Sequence, residues 1–331
     1  MSAVLETELA KEQEQIAALR AAIGQAVVGQ TEVVEQLLVG LFAGGHCLLE
    51  GVPGLGKTLL VRALGQALHL SFRRVQFTPD LMPSDLIGTE ILEEDHGTGK
   101  RVFQFQRGPV FTHLLLADEL NRTPPKTQSA LLEAMQEGTV SYAGTTYELP
   151  RPFFVLATQN PIEQAGTYPL PEAQLDRFLL NIMVDYPSAE EELRIITETT
   201  GSARNTVPQV LDAEAVLGLQ KRVRDLHIGD HLLQWITRLL RATRPGPDAP
   251  QVVRDFVQWG AGPRAGQALV LCAKARAMLH GRLAATRADI EAMALPVLRH
   301  RLLLNYRAEA EGKRVADLVS ALMQAVPCDT E

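Results

Sequence analysis

Residues Gly51 to Thr58 read Gly-Val-Pro-Gly-Leu-Gly-Lys-Thr, a full match to the pattern G-x-x-x-x-G-K-[ST]. Apolar Cys47-Leu48-Leu49 precedes the run and Leu59-Leu60-Val61 follows it, so the pattern lies between a strand and a helix, the context in which it binds a nucleoside triphosphate. Glycines 51, 54 and 56 let the loop curl until successive backbone N–H groups point at phosphate oxygens, and the helix behind adds the positive end of its dipole. Lys57 supplies a point charge for the β- and γ-phosphates, and the Thr58 hydroxyl is a ligand for Mg²⁺. Pro53, Gly54, Leu55, Gly56, Lys57, Thr58 and Leu59 are therefore assigned to the nucleoside triphosphate.

About 60 residues on, His113-Leu114-Leu115-Leu116-Ala117-Asp118-Glu119 is an apolar strand ending in two acids. In phosphoryl-transfer sites the first carboxylate holds Mg²⁺ and the second orients the attacking water, which assigns Asp118 to the metal and Glu119 to catalysis. A third apolar run, Phe153 to Ala157, ends in Thr158-Gln159-Asn160. Ligands of α/β sheets gather at the carboxyl ends of strands, so Asn160 is expected beside the γ-phosphate, helping to hold the water.

The elements that position these groups follow from periodicity. Ile16, Leu19 and Ile23 recur at helical spacing in an Ala-, Glu- and Gln-rich stretch, predicting an amphipathic helix from Leu5 to Ile23. A second helix is predicted over Thr31 to Leu41, a strand over His46 to Glu50, and another over Phe72 to Phe77. Continuous apolar runs at 114–116, 153–157 and 179–184 suit strands buried on both faces of a parallel sheet. Two hairpins are predicted, one over Thr89 to Gln106 about the turn-rich 95–99, the other over Thr139 to Leu149 about Ala143-Gly144. In the first, Phe103 and Phe105 alternate with Gln104 and Gln106, predicting a half-buried strand. Past Pro187 the strand signal fades and helical patterns take over, predicting a smaller all-α domain.

Composition narrows the class. A chain of 331 residues exceeds the ~250–300 at which single cores stop growing, so two domains are expected, 1–186 and 187–331. Hydrophobic residues at 46% and charged residues at 21% are ordinary globular usage. The charged N-terminal stretch carries no apolar secretory core and no run approaches a membrane span, which predicts a cytoplasmic protein. A net charge of −7 makes nucleic acid an unlikely partner. The three cysteines are far apart and the eight histidines scattered, so no metal other than Mg²⁺ is expected.

Gly29-Gln30, the phosphate loop, the box Asp118-Glu119-Leu120-Asn121-Arg122, the run Ala157 to Gln164 and the string Gly166 to Phe178 together resemble the MoxR family of AAA+ ATPases. The resemblance implies an α/β core with a five-stranded parallel sheet, an α-helical lid, and a homo-oligomeric ring, usually hexameric, with ATP between neighbours. It implies that Gly29 and Gln30 lie near the adenine and that Arg177 is an arginine finger acting on the next subunit's nucleotide. Gly262-Pro263-Arg264-Ala265 resembles the sensor-2 motif, which implies that Arg264 reaches the γ-phosphate of its own subunit's ATP. The two hairpins resemble inserts shared with magnesium chelatase subunits and minichromosome maintenance helicases.

The function implied is a Mg²⁺-dependent ATP hydrolase with chaperone-like activity on a protein client, working with a partner that carries a von Willebrand factor A domain. Three alternatives stand beside it: a nucleic-acid motor, a metal-chelatase ATPase subunit, and a scaffold that binds nucleotide without hydrolysing it. The net charge weighs against the first, the 159–164 run against the second, and Lys57, Asp118 and Glu119 together against the third.

Overall fold

The computed structural model describes residues 3–27, 29–52, 54–94, 101–160, 166–199 and 207–328. The first half holds β1 (Cys47–Glu50), β2 (Phe72–Gln76), β3 (Gly88–Glu94), β4 (Arg101–Arg107), β5 (Leu114–Asp118), β6 (Thr139–Tyr142), β7 (Thr145–Glu148), β8 (Phe154–Gln159) and β9 (Leu180–Met183). Among them run α1 (Ala3–Ala26), α2 (Thr31–Phe42), α3 (Lys57–Ala67), α4 (Pro83–Ile87), α5 (Pro125–Glu137) and α6 (Glu172–Leu175). The second half is α7 (Ala189–Thr199), α8 (Ala213–Asp225), α9 (Asp230–Ala242), α10 (Gln251–Phe256), α11 (Pro263–Leu279), α12 (Arg287–Leu298), α13 (Tyr306–Ala310) and α14 (Val315–Ala325). Two very short strands, β10 (Val257–Trp259) and β11 (Leu303–Leu304), pair antiparallel within it.

The sheet is the expected five strands, all parallel, in the order β2-β5-β8-β1-β9. The three inner strands, β5, β8 and β1, read as apolar runs because alternate residues enter different cores, whereas edge strand β2 carries Arg73, Arg74 and Gln76. Leu48, Leu115, Ala117, Val155 and Ala157 face one core with Leu131 and Leu132 of α5. Cys47, Leu49, Leu114, Leu116, Leu156 and Ile182 face the other. That second core continues through α1, α2 and α3 into α8, α11 and α12, so the two halves of the chain share it. Ile16, Leu19 and Ile23 of α1 are buried there as their spacing predicted.

Charge reinforces the joint. Glu35 of α2 accepts from Arg20 of α1 (3.2 Å) and Arg276 of α11 (2.9 Å). Arg276 also reaches Asp289 of α12 (2.9 Å), a fully buried carboxylate that Arg282 grips as well.

Both predicted hairpins form, β3 with β4 and β6 with β7, although the tip of the first lies outside the described residues. Ala143 and Gly144 both take positive φ, 47° and 82°, the backbone of a type I′ turn. Phe105 stacks on Tyr147 (4.4 Å between centroids) and lies 5.2 Å from Tyr142, which fixes the hairpins to each other. The half-buried reading therefore holds for Phe105 but not for Phe103, which is 72% exposed two residues nearer the tip, past the end of that stack.

Candidate functional site

The carboxyl edge of the sheet gathers the predicted chemistry. Gly51, Gly54, Leu55, Gly56, Lys57, Thr58, Asp118, Glu119 and Asn160 line one cleft of about 250 Å³ with Arg74 and Thr158. Gly54 and Gly56 take φ of +89° and +72° with open space where a Cβ would stand, so the loop curls as a phosphate cradle must. At Gly51 a Cβ would meet the carbonyl of Val184, the residue after β9. Helix α3 begins at Lys57, and its N-cap Gly56 and first residues Lys57 and Thr58 line the cleft. The Lys57 ammonium donates to the Gly51 carbonyl. Burial lowers its pKa, countered by Asp118, Glu119 and Glu50.

Asp118 and Glu119 are held by residues from two neighbouring strands. The Thr158 hydroxyl donates to Asp118 Oδ1 (2.6 Å) and accepts from the Glu119 N–H (2.8 Å), so a single β8 side chain sets both acids. Arg74 of β2 donates to Asp118 Oδ2 through Nη2 (2.6 Å) and Nε (3.0 Å). Gln76, opposite Asp118 in the β2–β5 register, donates to Glu119 Oε2 (2.6 Å), as does Arg122 (2.9 Å). Glu119 itself sits at φ 58°, an uncommon conformation for a residue with a side chain, of the strained kind that clusters at functional sites. Arg122 and Thr158 stood inside the quoted motifs without an assigned role, and Arg74 and Gln76 stood outside them; the period of two that puts Arg74 and Gln76 on one side of β2 is the signal that could have found that pair.

The donors suit a magnesium nucleotide. A hydroxyl and a carboxylate are hard oxygen ligands, and Mg²⁺ is commonly held by one or two carboxylates plus phosphates and water in place of an all-protein cage. No cluster of three or more His, Cys, Asp or Glu stands ready for another metal among the described residues. Pro53 lies outside the described residues, and Leu59 is exposed on the first turn of α3. Gly29 and Gln30 both take positive φ in the turn before α2, and Gln30 Nε2 donates to the Leu55 carbonyl (3.1 Å), bracing the phosphate loop from behind.

Arg177 and Arg264 are elsewhere. They share a cavity of about 220 Å³ with Gly45, His46, Asp176 and Arg301, at the amino ends of β1 and β9. Arg264 Nη1 lies 3.8 Å from Asp176 Oδ2, the residue before Arg177. The four residues of β1 separate this cavity from the phosphate loop, a span of about 13 Å. Arg264 thus does not line its own subunit's phosphate cleft, contrary to the expectation for a sensor-2 residue; α11 starts beside the Arg177 turn and directs its first arginine there.

Residues 46–180 match the ATPase family associated with various cellular activities (AAA), and residues 250–322 match the AAA lid domain. The chain is 44% identical to Chaperone MoxR1 of Mycobacterium tuberculosis, over 91% of this chain and 78% of that one. It is 32% identical to Protein MoxR of Methylorubrum extorquens, over 92% of each chain. This chain belongs to the MoxR family of AAA+ ATPases. A solved structure of a candidate ATPase from Cytophaga hutchinsonii superposes with a TM-score of 0.92 at 41% identity, covering 99% of this chain and 98% of that one. The two matches make residues 46–180 an ATPase core and residues 250–322 a lid. No helix among the described residues is long and apolar enough to cross a membrane.

Proposed function

We propose that this MoxR-family chain is a Mg²⁺-dependent ATP hydrolase whose sites are completed between neighbours in a homo-oligomeric ring, a hexamer in the family's usual form. The observation that carries this reading is the separation of its parts. The phosphate loop, Asp118 and Glu119 stand at one edge of the sheet, while Arg177 and Arg264 stand at the other. Lys57 and the loop N–H groups bind the phosphates, and Thr58 and Asp118 hold the metal, which spreads charge from the transferred phosphoryl group when bound. Glu119 orients water with Asn160 beside it. Arg177, joined by Arg264, serves the nucleotide of the adjacent subunit, where such a finger is worth ~10³–10⁵ in rate.

Hydrolysis is coupled to remodelling of a protein client in the cytoplasm, a reading supported by the chaperone designation of the relative in Mycobacterium tuberculosis. A partner bearing a von Willebrand factor A domain belongs to this proposal. The test is complementation. Lys57→Ala loses its own site but keeps its arginines, and Arg177→Ala does the reverse; each alone is expected to be inactive. A 1:1 mixture should recover activity at about a quarter of its interfaces if subunits associate head to tail at random. A mixture as inactive as its components would overturn the shared-site reading.

A further inference from the structure

Directly after α12 come Arg299, His300 and Arg301, which belong to the lid and direct their polar atoms at the core. The Arg301 side chain is only 4% exposed. Its Nε donates to Asp176 Oδ1 (2.7 Å), Nη2 to the Phe178 carbonyl (2.7 Å) and Nη1 to the Leu179 carbonyl (3.1 Å). His300 Nε2 donates to the same Phe178 carbonyl (3.0 Å), and Arg299 Nη1 to the Asn181 carbonyl (3.0 Å). Asn181 in turn donates to Glu50 (2.9 Å), the last residue of β1, directly before the phosphate loop.

The choice of acceptors is informative. Burying a guanidinium removes it from water at a cost of several kcal/mol, and an apolar residue of similar volume often packs as stably. What the guanidinium adds is a rigid fork of five donors. Apart from a bond to Val297 near the end of α12, every acceptor this fork reaches lies within residues 176–179. Arg177 sits in the middle of that four-residue turn, its flanking residues fixed while its own side chain remains partly exposed in the cavity with Arg264. The same stretch of lid is tied through Asn181 to the start of the phosphate loop. A rotation of the lid therefore cannot leave the turn that carries Arg177 where it was.

We infer that Arg301 is a positioning residue for Arg177: it locks the finger-bearing turn to the lid, so that lid orientation sets whether the finger is presented to the adjacent subunit. The inference rests on the shared-site reading above and adds to it the residue through which a lid movement reaches the finger. Lysine at 301 would keep the charge but replace the fork with a single flexible ammonium, leaving at least one carbonyl of the turn without its donor. A displacement of about 1 Å at such a group can cost about 10²-fold in rate.

Arg301→Lys and, as a second variant, the isosteric Asp176→Asn are to be assayed for ATP hydrolysis alone and in 1:1 mixtures, with affinity for a fluorescent ATP analogue and assembly mass measured in parallel. Arg301→Lys alone should lose about 10²-fold in kcat while binding nucleotide and assembling as the wild type does. Mixed with Lys57→Ala it should recover, because its own nucleotide site is intact. Mixed with Arg177→Ala it should not, because both variants damage the same face. Asp176→Asn should follow the same pattern with a smaller loss.

A general weakening of the lid would instead lower nucleotide affinity and abolish recovery with Lys57→Ala, and that result overturns the inference. So does recovery with Arg177→Ala, or a kcat for Arg301→Lys close to wild type. The Arg177→Ala and Lys57→Ala mixture is the control that separates the two levels: if it fails, shared sites and the role of Arg301 fall together, whereas if it recovers and Arg301→Lys does not follow it, Arg301 alone is misassigned.

Discussion

His46 offers a quantitative test of how the cavity that holds Arg177 is built. His46 is half-buried at the head of β1, where Nδ1 accepts from the Val155 N–H (3.0 Å), which leaves Nε2 as the protonated nitrogen, donating to the Met135 carbonyl (2.9 Å). A second proton would have to sit on Nδ1, facing another N–H. Burial accordingly depresses the pKa from 6.5 to about 4. The unfolded chain takes up that proton first, so the stability His46 contributes is complete above pH 6.5 and is lost as pH falls toward 4. Between pH 7 and pH 5 the two pKa values correspond to a loss of about 2 kcal/mol from this one residue. His46→Gln removes the titration but keeps an amide able to donate to Met135. It should be less stable than the wild type at pH 7 by about 1–2 kcal/mol, for the lost acceptor at Val155. Its further loss on going to pH 5 should be smaller by about 2 kcal/mol, since all other groups, His300 included, cancel in the comparison. Urea unfolding of both proteins at the two pH values, without nucleotide, gives the difference. Parallel pH dependences would refute the account and mean that His46 is charged or solvated in the folded protein.

Other outcomes follow from the same contacts. Glu119→Gln should retain ATP and lose about 10²–10⁴ in turnover, checked by nucleotide binding beside steady-state hydrolysis; unimpaired turnover would place the base elsewhere. Thr158→Val leaves both the Asp118 carboxylate and the Glu119 N–H without their shared hydroxyl, so about 10–100-fold in activity should be lost with a raised Mg²⁺ requirement, while Thr158→Ser stays near wild type. Gly51→Ala drives a methyl into the Val184 carbonyl, an overpacking cost of about 1–3 kcal/mol. It should appear in calorimetry as about tenfold or greater loss of nucleotide affinity. At Asp289 burial works to raise the pKa, but bonds from Arg282, Thr286 and Arg276 overcome it and hold the pKa at about 2. Its contribution is present above pH 3.8 and is lost as pH falls toward 2. Asp289→Asn should destabilise the lid by about 3–5 kcal/mol in thermal unfolding at neutral pH, because two guanidinium groups lose their common carboxylate.

What could be read from the chain was whatever chemistry is local. The phosphate loop is one contiguous string, and Leu114 to Asp118 declares a strand buried on both faces because no polar residue interrupts it before the acids. The place of the hairpin turn at Ala143-Gly144 was likewise legible locally, though its type I′ backbone was not. The supports of the acids were not legible in that way. Arg74, Gln76 and Thr158 meet Asp118 and Glu119 only because the sheet order sets β2 and β8 on either side of β5, and strand order is a property of the whole fold. Arg264 misled for a related reason. Its motif identifies an arginine at a helix start, but which edge of the sheet that helix approaches depends on how the lid docks, through contacts such as Arg301 with Asp176 that no local pattern announces. Pairing of β10 with β11 rests on a few residues nearly 50 positions apart, too little for periodicity to reveal.

The placement of phosphate loop and arginines at opposite edges of one sheet gives the chain a direction as a building block. Two copies related by a twofold axis would join like to like, loop facing loop or arginine facing arginine, and neither pairing completes a site. Only translation with rotation, each copy following the last in the same sense, matches unlike edges, and such a contact never saturates by itself. It ends when the turn per copy closes the circle, and otherwise it runs on as a helical filament. On the proposed sharing of sites, the geometry of a catalytic site becomes a requirement on the curvature of an assembly, and a substitution far from any nucleotide that alters the angle between copies would act as a catalytic mutation.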